Sequence, residues 1–298
     1  MNSFGRFFRV SIFGESHGEC VGVTIDGCPP GISLKEADFS IDVERRKGGK
    51  KGTTPRKEDD IPNIISGIFN GKTTGAPITI TFLNENTRSI DYEKSRAIPR
   101  PGHADFVASK KFKGFEDYRG GGHFSGRLTL CLVAAGDLAK KIISNVSVKA
   151  EIIEVGGERD INVGLEKAIK AKDSIGGIVE CRISGLPIGL GEPFFDSVES
   201  MLSHAVFSIP AVKGIEFGAG FKAASMFGSE HNDPLISLSG KTKTNHAGGI
   251  VGGITNGNDI IFRIAIKPTS STPKVQESLN IENENIESPL TNVVTVDF

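Results

Sequence analysis

Residues Phe8 to Phe13 and Val21 to Ile25 set apolar side chains against smaller or polar ones at a period of two, the pattern of a half-buried strand. The second run closes at Asp26-Gly27-Cys28-Pro29-Pro30-Gly31, a turn sequence. Ser33 then offers a helix N-cap with Glu36 three residues on, the spacing of a capping box, and predicts a helix to about Arg46. Ile78 to Phe82, just after Pro77, reads as a strand. Between Leu128 and Ile143 the period changes: Leu132, Ala135, Leu138, Ala139 and Ile142 fall at helical spacing and predict a helix set mostly on the core. Gly176 to Ile183 and Ile260 to Ile266 are further strands. Val293 to Phe298 reads as one too, stopping without a turn, a cap or a charged tail, as if the chain had been cut there or its remainder were missing. Helices and strands alternate irregularly, and hairpin-like turns join the strands. That predicts an α+β fold rather than a doubly wound parallel sheet.

One short pattern recurs. Asp26-Gly27-Cys28-Pro29-Pro30-Gly31-Ile32 and Ser184-Gly185-Leu186-Pro187-Ile188-Gly189-Leu190 each follow a strand, and each reads x-Gly-apolar-Pro-x-Gly-apolar. A true repeat would mean two similar halves sharing one site. The chain of 298 residues is long enough for one large domain or two small ones. No Pro/Ser-rich linker marks a boundary, so a single domain spanning 1–298 is expected.

Composition narrows the functional classes. A formal net charge of −1 gives no global case for nucleic-acid or membrane binding. No apolar run is long enough to cross a bilayer, and Met1 to Arg6 lacks the layout of a secretory signal. The 4 cysteines, Cys20, Cys28, Cys131 and Cys181, show no CxxC spacing, so no zinc site or redox dithiol is expected. Free thiols fit a cytoplasmic protein.

Chemistry concentrates in glycine-bearing turns. Of 6 histidines, four lie in such segments: Gly14-Glu15-Ser16-His17-Gly18, Arg100-Pro101-Gly102-His103-Ala104-Asp105, Arg119-Gly120-Gly121-Gly122-His123-Phe124-Ser125-Gly126-Arg127 and Asn245-His246-Ala247-Gly248-Gly249. Glycine lets backbone approach a ligand closely, and histidine carries protons near neutral pH. Any one of these segments could be a strand-capping turn; the four together suggest a shared site. Arg45, Arg46, Lys47, Lys50, Lys51, Arg56 and Lys57 crowd a loop that also holds Gly48, Gly49 and Gly52. It reads as a solvated basic loop, as a nucleic-acid contact lacking interleaved aromatics, or as a mobile cover for a phosphate-bearing ligand. Lys267-Pro268-Thr269-Ser270-Ser271 offers an ammonium, hydroxyls and backbone N–H groups to a phosphate or a flavin edge. Neither a Walker A pattern nor a dinucleotide fingerprint is present. The residues by themselves therefore describe an anion-binding α+β enzyme that uses histidine acid–base chemistry.

These segments, in order and spacing, closely resemble chorismate synthase. Asp173-Ser174-Ile175-Gly176-Gly177 and Gly189-Leu190-Gly191-Glu192-Pro193 extend the match. The resemblance implies a helical layer sandwiched between two antiparallel β-sheets, assembled as a homotetramer. It implies a lyase that eliminates phosphate and a proton, anti, from enolpyruvylshikimate phosphate to give chorismate, the last common step of the shikimate pathway. Reduced FMN is required, with NADPH as a candidate reductant, and no nucleic acid, membrane or metal takes part. His17 would be the general acid toward the leaving phosphate, and His103 would protonate the reduced flavin or hold its charge state. Ser16 and Ser125 would lie at the flavin's reactive edge. His123, Phe124, Ser125, Ala211, Gly252, Lys267, Pro268, Thr269, Ser270 and Ser271 would bind FMN, and Arg46, Lys51 and Arg127 would take substrate or NADP.

Several positions depart from the family pattern. Many members read Gly-Gly-Gly-Arg-Ser-Ser-Ala-Arg where this chain has Gly120-Gly121-Gly122-His123-Phe124-Ser125-Gly126-Arg127. Pro210 stands where many have Asn, and Asp137 where a small or aromatic residue is preferred. The family continues with a Gly-Arg-His-Asp motif shortly beyond Phe298, so this chain is expected to lack the family's C-terminal segment. The alternative is a truncated or degenerate relative that binds flavin or an anion without catalysis.

Overall fold

Val21, Val23 and Ile25 form the centre of the first sheet in the computed structural model. Each is fully buried and pairs across the ladder with an equally buried residue, Phe82, Ile80 and Ile78 in turn. Such cross-strand apolar pairs are what hold a sheet face together. The structure describes residues 2–53, 56, 58–86, 97–281 and, as backbone, 293–296. Lys57 of the basic loop and the last two residues of the expected terminal strand lie outside the described residues. The chain divides into two units, Met1–Ile142 with Ser270–Phe298, and Ile143–Thr269.

The first unit holds strands β1 (Ser3–Phe4), β2 (Arg9–Gly14), β3 (Cys20–Asp26), β4 (Asn63–Ile64), β5 (Ile68–Phe69), β6 (Lys72–Thr73) and β7 (Ile78–Leu83). Five of them make an antiparallel sheet in the order β1-β2-β3-β7-β4, and β5 and β6 form a separate hairpin. The helix Thr129–Ile142 follows the predicted spacing. It buries Leu130, Cys131, Ala134 and Leu138 in the same core as the β3 and β7 side chains. Lys140 on this helix bridges Asp42 and the buried Asp137. Burial first, and Asp42 beside it, push the Asp137 carboxyl up to about 7.

The first helix begins differently from expectation. Ser33 is bridged to Lys72 and the Leu34 N–H donates to Gly71 O at 3.0 Å, so the chain stays extended through Lys35. The cap moves to Lys35, whose backbone N–H donates to Asp38 Oδ2 at 2.9 Å. A 3₁₀ turn, Glu36–Phe39, precedes the α-helix Ser40–Arg46.

The second unit holds β8 (Ser147–Val155), β9 (Gly177–Ser184), β10 (Val212–Phe217), β11 (Ile250–Val251), β12 (Ile254–Thr255) and β13 (Ile260–Ile266). Its sheet runs β10-β13-β9-β8, antiparallel throughout, with β11–β12 as a separate hairpin. Ile260, Phe262 and Ile264 point inward at a period of two. Val198, Leu202 and Val206 of the helix Val198–Val206 pack against them. In the first unit again, β14 (Gln276–Leu279) and β15 (Val293–Val296) form an antiparallel ribbon. The α+β class is the one the patterning predicts. Among the described residues no helix is long and apolar enough to cross a membrane.

The recurring turn is wired the same way in both units. Thr73 Oγ1 donates to Pro29 O at 2.7 Å and accepts from the Ile32 N–H at 2.9 Å. Thr255 Oγ1 donates to Pro187 O at 2.7 Å and accepts from the Leu190 N–H at 2.9 Å. Both threonines are buried and lie on the hairpin just before a central strand. The match extends to nine residues on each hairpin. Gly67-Ile68-Phe69-Asn70-Gly71-Lys72-Thr73-Thr74-Gly75 corresponds to Gly249-Ile250-Val251-Gly252-Gly253-Ile254-Thr255-Asn256-Gly257. Gly67 and Gly249 have φ of +83° and +84°, and a Cβ on either would strike the first residues of the strand that follows. Only glycine takes that conformation without strain.

Candidate active site

β2 ends at Gly14 and β3 begins at Cys20, so Ser16 and His17 occupy the turn between two core strands. Both are buried. A second turn, Gly120-Gly121-Gly122, meets them. All three glycines have positive φ, at +59°, +80° and +52°. The Ser16 N–H donates to Gly122 O at 3.1 Å and ties the two turns together. A Cβ on Gly120 would lie 2.6 Å from His17 Nε2, and one on Gly121 would lie 3.0 Å from His103 Cε1 and 3.2 Å from its Nε2. The glycine backbone thus passes His17 at one residue and His103 at the next. Side chains there would fill the space that faces both imidazoles.

The two histidines sit in opposite surroundings. Burial, then the positive charges of Arg56 and Arg119, lower the His17 pKa. His103 instead pairs with a carboxylate: its Nδ1 lies 2.5 Å from Asp105 Oδ1. Arg100 holds that carboxylate through Nε at 2.8 Å, Nη2 at 2.8 Å and its backbone N–H at 3.1 Å. Burial would raise the Asp105 pKa, but the hydrogen bonds from Arg100 and His103 outweigh it and hold the carboxyl well below the usual range.

Two cavities open on the glycine turn. One, of about 440 Å³, is lined by Ser16, Arg46, Arg56, Gly120, Ser125 and Arg127, with Glu58 and Asp60 at its walls. Arg127 is buried and ion-paired to Asp60, which also takes Arg46 Nη1 at 3.3 Å. Arg56 Nη1 donates to Ser16 Oγ at 2.8 Å, and its Nη2 bonds Glu58 at 2.6 Å. Three guanidinium groups facing two carboxylates leave a surplus positive charge, which suits an anion. The other cavity, of about 430 Å³, is lined by His103, Asp105, Tyr118, Gly121 and Phe124 among others.

The first unit therefore gathers Ser16, His17, Arg46, His103, Ser125 and Arg127, and Phe124 lines the His103 cavity. Ser125 caps a short turn by accepting the Arg127 N–H at 3.3 Å. The ring nitrogens of His123 meet Gly14 O at 2.9 Å and Asn2 Oδ1 at 3.1 Å. Ser271 Oγ accepts from Arg100 Nη1 at 3.2 Å, and Ser270 O accepts from Gln276. Lys51 is exposed in the basic loop and lines neither cavity. Ala211, Gly252, Lys267, Pro268 and Thr269 lie in the second unit. Ala211 has φ +71°, and its carbonyl accepts the Lys267 N–H at 2.9 Å. Its fourth glycine-turn histidine, His246, is pinned by its backbone N–H to Asp233 at 2.8 Å.

Four residues at the site were given no role of their own by the sequence: Asp60 and Asn84 carried no signal, Arg56 was read only as one member of the basic loop, and Arg100 only as the head of a glycine-bearing segment. Asp60 has φ +53° and reaches Arg127 across 67 positions, and Asn84 Oδ1 accepts from Arg127 Nε at 2.9 Å. Nothing local marks such pairs. Arg100, two residues before the Gly102-His103 pair, was the most legible of the four.

Comparison with known proteins bears on this arrangement. Residues 8–292 match the family model described as chorismate synthase. A chorismate synthase of Chitinophaga pinensis is 70% identical over 289 residues, covering 97% of this chain and 87% of that protein. One from Dehalococcoides mccartyi is 45% identical over 315 residues, covering 94% and 86%. A crystal structure of chorismate synthase superposes with a TM-score of 0.72 at 26% identity, covering 88% of this chain and 85% of the other.

Proposed function

The chain belongs to the chorismate synthase family, and from that premise we propose how its own residues carry the reaction. The activity is anti elimination of phosphate and a proton from enolpyruvylshikimate phosphate to give chorismate, and the family requires a reduced flavin. The observation that carries the proposal is the turn Gly120-Gly121-Gly122. Its missing side chains leave His17 and His103 open toward the same backbone, with the arginine-lined cavity beginning at Gly120.

Arg46, Arg56 and Arg127 bind the substrate's anionic groups, with Lys51 and Arg46 alternatively meeting NADP. His17 donates the proton to the departing phosphate. Burial, with Arg56 and Arg119 beside it, disfavours the charged ring. A phosphate dianion placed beside it reverses that field and loads the proton where it is needed. Ser16, held through Oγ by Arg56, and Ser125 border the reacting edge. The residues present fit a flat ring, because a Cβ at Gly120 or Gly121 would occupy the space in front of the imidazoles. His103 would hold a proton at the flavin's edge. His123, Phe124, Ser125, Ser270 and Ser271 would hold FMN, and Ala211, Gly252 and Lys267–Thr269 are proposed as FMN contacts of the second unit in their own right. Bound reduced FMN supplies transient electron density as the phosphate leaves; the protein positions and protonates.

The homotetramer is supported by bare apolar side chains on the second unit, where Phe194, Phe195, Phe221 and Leu238 are 86%, 94%, 86% and 107% exposed. A cytoplasmic setting is supported by four cysteines that are all free thiols. NADPH as reductant is supported by the basic character of the Arg45–Gly52 loop. Anaerobic turnover with chemically reduced FMN, and with NADPH in its place, tests the site and the reductant separately. Phosphate release and chorismate absorbance are the readouts. Full turnover by a His17→Ala protein would remove His17 from the reaction.

A further inference from the structure

Asp105 lines the His103 cavity and is among the most tightly held carboxylates of the site. Its side chain is 12% exposed, and four hydrogen bonds converge on it. Oδ2 takes the Arg100 backbone N–H and Nε. Oδ1 takes Arg100 Nη2 and the His103 ring. A carboxylate has no proton to give, so the 2.5 Å approach of His103 Nδ1 requires the proton to sit on that nitrogen.

Arg100 does not compete for Nδ1. Its Nη2 lies 3.0 Å from Nδ1 and 3.3 Å from Nε2. A donor approaching Nδ1 in the ring plane would be far from Nε2, so near-equal distances put the guanidinium nitrogen over the ring face. The Cε1–Nε2 edge is turned toward Gly121, which lines the same cavity as His103 and brings no side chain of its own.

We infer that Asp105 is the positioning residue for His103: it fixes the Nδ1–H tautomer and so presents Nε2 to the cavity as the ring's one proton-accepting atom, while Arg100 fixes Asp105. The inference rests on the proposed role of His103 in the reaction and specifies which atom carries it. No bond to carbon is made or broken by Asp105. It accepts a hydrogen bond, and the mobile proton enters and leaves at Nε2.

Replacement by asparagine is informative because of Arg100. The amide oxygen is drawn to the site now held by Oδ2, where both donors, the Arg100 backbone N–H and Nε, are fixed; at the Oδ1 site one of the two donors, His103, can change tautomer. The amide NH₂ must then face His103, so Nδ1 becomes an acceptor and the proton moves to Nε2. The same substitution in Ser-His-Asp triads acts through the wrong tautomer.

The test is the ¹⁵N spectrum of histidine-labelled protein bound to FMN, at a pH where the ring is neutral, with the His103 signals identified by difference against His103→Gln. The expected result is Nδ1–H in the wild type and Nε2–H in Asp105→Asn. The asparagine variant should lose about 10²- to 10⁴-fold in kcat, with KM for enolpyruvylshikimate phosphate moving less than threefold. Asp105→Glu should recover the Nδ1–H tautomer and part of kcat. An Nε2–H tautomer in the wild type overturns the inference without any variant. So does wild-type kcat in an Asp105→Asn protein whose tautomer has changed. Full activity of His103→Gln would instead remove the role assigned to His103, while the tautomer measurement would stand.

Discussion

The Thr73 hairpin of one unit and the Thr255 hairpin of the other share their wiring to within 0.1 Å in the threonine hydrogen bonds, yet they serve different surroundings. In the first unit the strand after the hairpin, β7, leads to Leu83 and Asn84, which take Arg127 beside the histidines. In the second, β13 leads to Lys267-Pro268-Thr269, where the Lys267 N–H is held by Ala211 O and Pro268 has none. The same frame was kept where it closes a core, and the residues one strand-length away diverged. Stability is written in the part the two units share. The proposed acid–base groups lie in the part they do not.

The comparison can be pressed hardest at its chemical end. His17→Ala should lower turnover by roughly ten- to ten-thousand-fold, the span of a general acid. His246→Ala, which keeps its backbone bond to Asp233, should stay within about threefold of wild type by the same measure. Steady-state chorismate formation with reduced FMN checks both. Comparable losses would mean that the second unit also carries acid–base chemistry.

The shared frame is next. Thr73→Val and Thr255→Val each strand the same two partners, a proline carbonyl and an apolar residue's N–H. Each should cost about 1–3 kcal/mol in chemical denaturation, the penalty of leaving buried polar groups unmade. A large loss in one unit with none in the other would end the equivalence.

The first unit has one strain the second lacks, in Asp137. Its carboxyl is raised by burial and Asp42 to about 7 in the folded protein, against about 3.9 in an unfolded chain. A raised pKa means the folded state binds the extra proton between those values. Its contribution is therefore fully present below about pH 4 and lost as pH rises through about 7. Asp137→Asn should remove that decline and gain roughly 1–2 kcal/mol at pH 8 relative to wild type. Denaturant midpoints taken at pH 5 and pH 8 provide the check; parallel shifts at both would contradict it.

The smallest effect lies at the hairpin tips. Asn70 at φ +48° occupies the place of Gly252 at φ +63°. Both residue types accept left-handed backbone, so Asn70→Gly and Gly252→Asn should each shift stability by less than about 1 kcal/mol. If Gly252→Asn leaves stability alone but weakens FMN affinity, the proposed flavin contact gains support from a change that does not disturb the fold.

Much of the fold was legible in the sequence because its core strands alternate cleanly and its long helix keeps its period. Ile260–Ile266 lies where the patterning puts it, and Leu128–Ile143 lies within one residue of it at each end. The helix start was misread because Ser33 looks like a cap locally, and only its pairing partner Lys72, 39 positions on, decides otherwise. The site was legible through glycine, whose clusters mark where backbone must stand close to something. It was illegible where charge meets charge over distance. Nothing in the neighbourhood of Asp60 or Arg56 announces that they meet Arg127 and Ser16. The nine-residue hairpin repeat was readable in principle, since Gly-Ile-apolar-x-Gly-x-Thr-x-Gly occurs twice. Its spacing within each unit differs, and the shorter Pro-containing turn masked it.

The glycine turn between the histidines has a genetic side. Every missense change reachable by one base from a glycine codon installs a Cβ. At Gly120 that carbon would crowd His17, and at Gly121 it would crowd His103. At Gly122 it would run into the Asp117 carbonyl behind the turn. Three adjacent codons therefore tolerate no amino-acid replacement without loss, and each fails in its own way. Random mutagenesis scored by growth without aromatic amino acids would show them as a gap three residues wide.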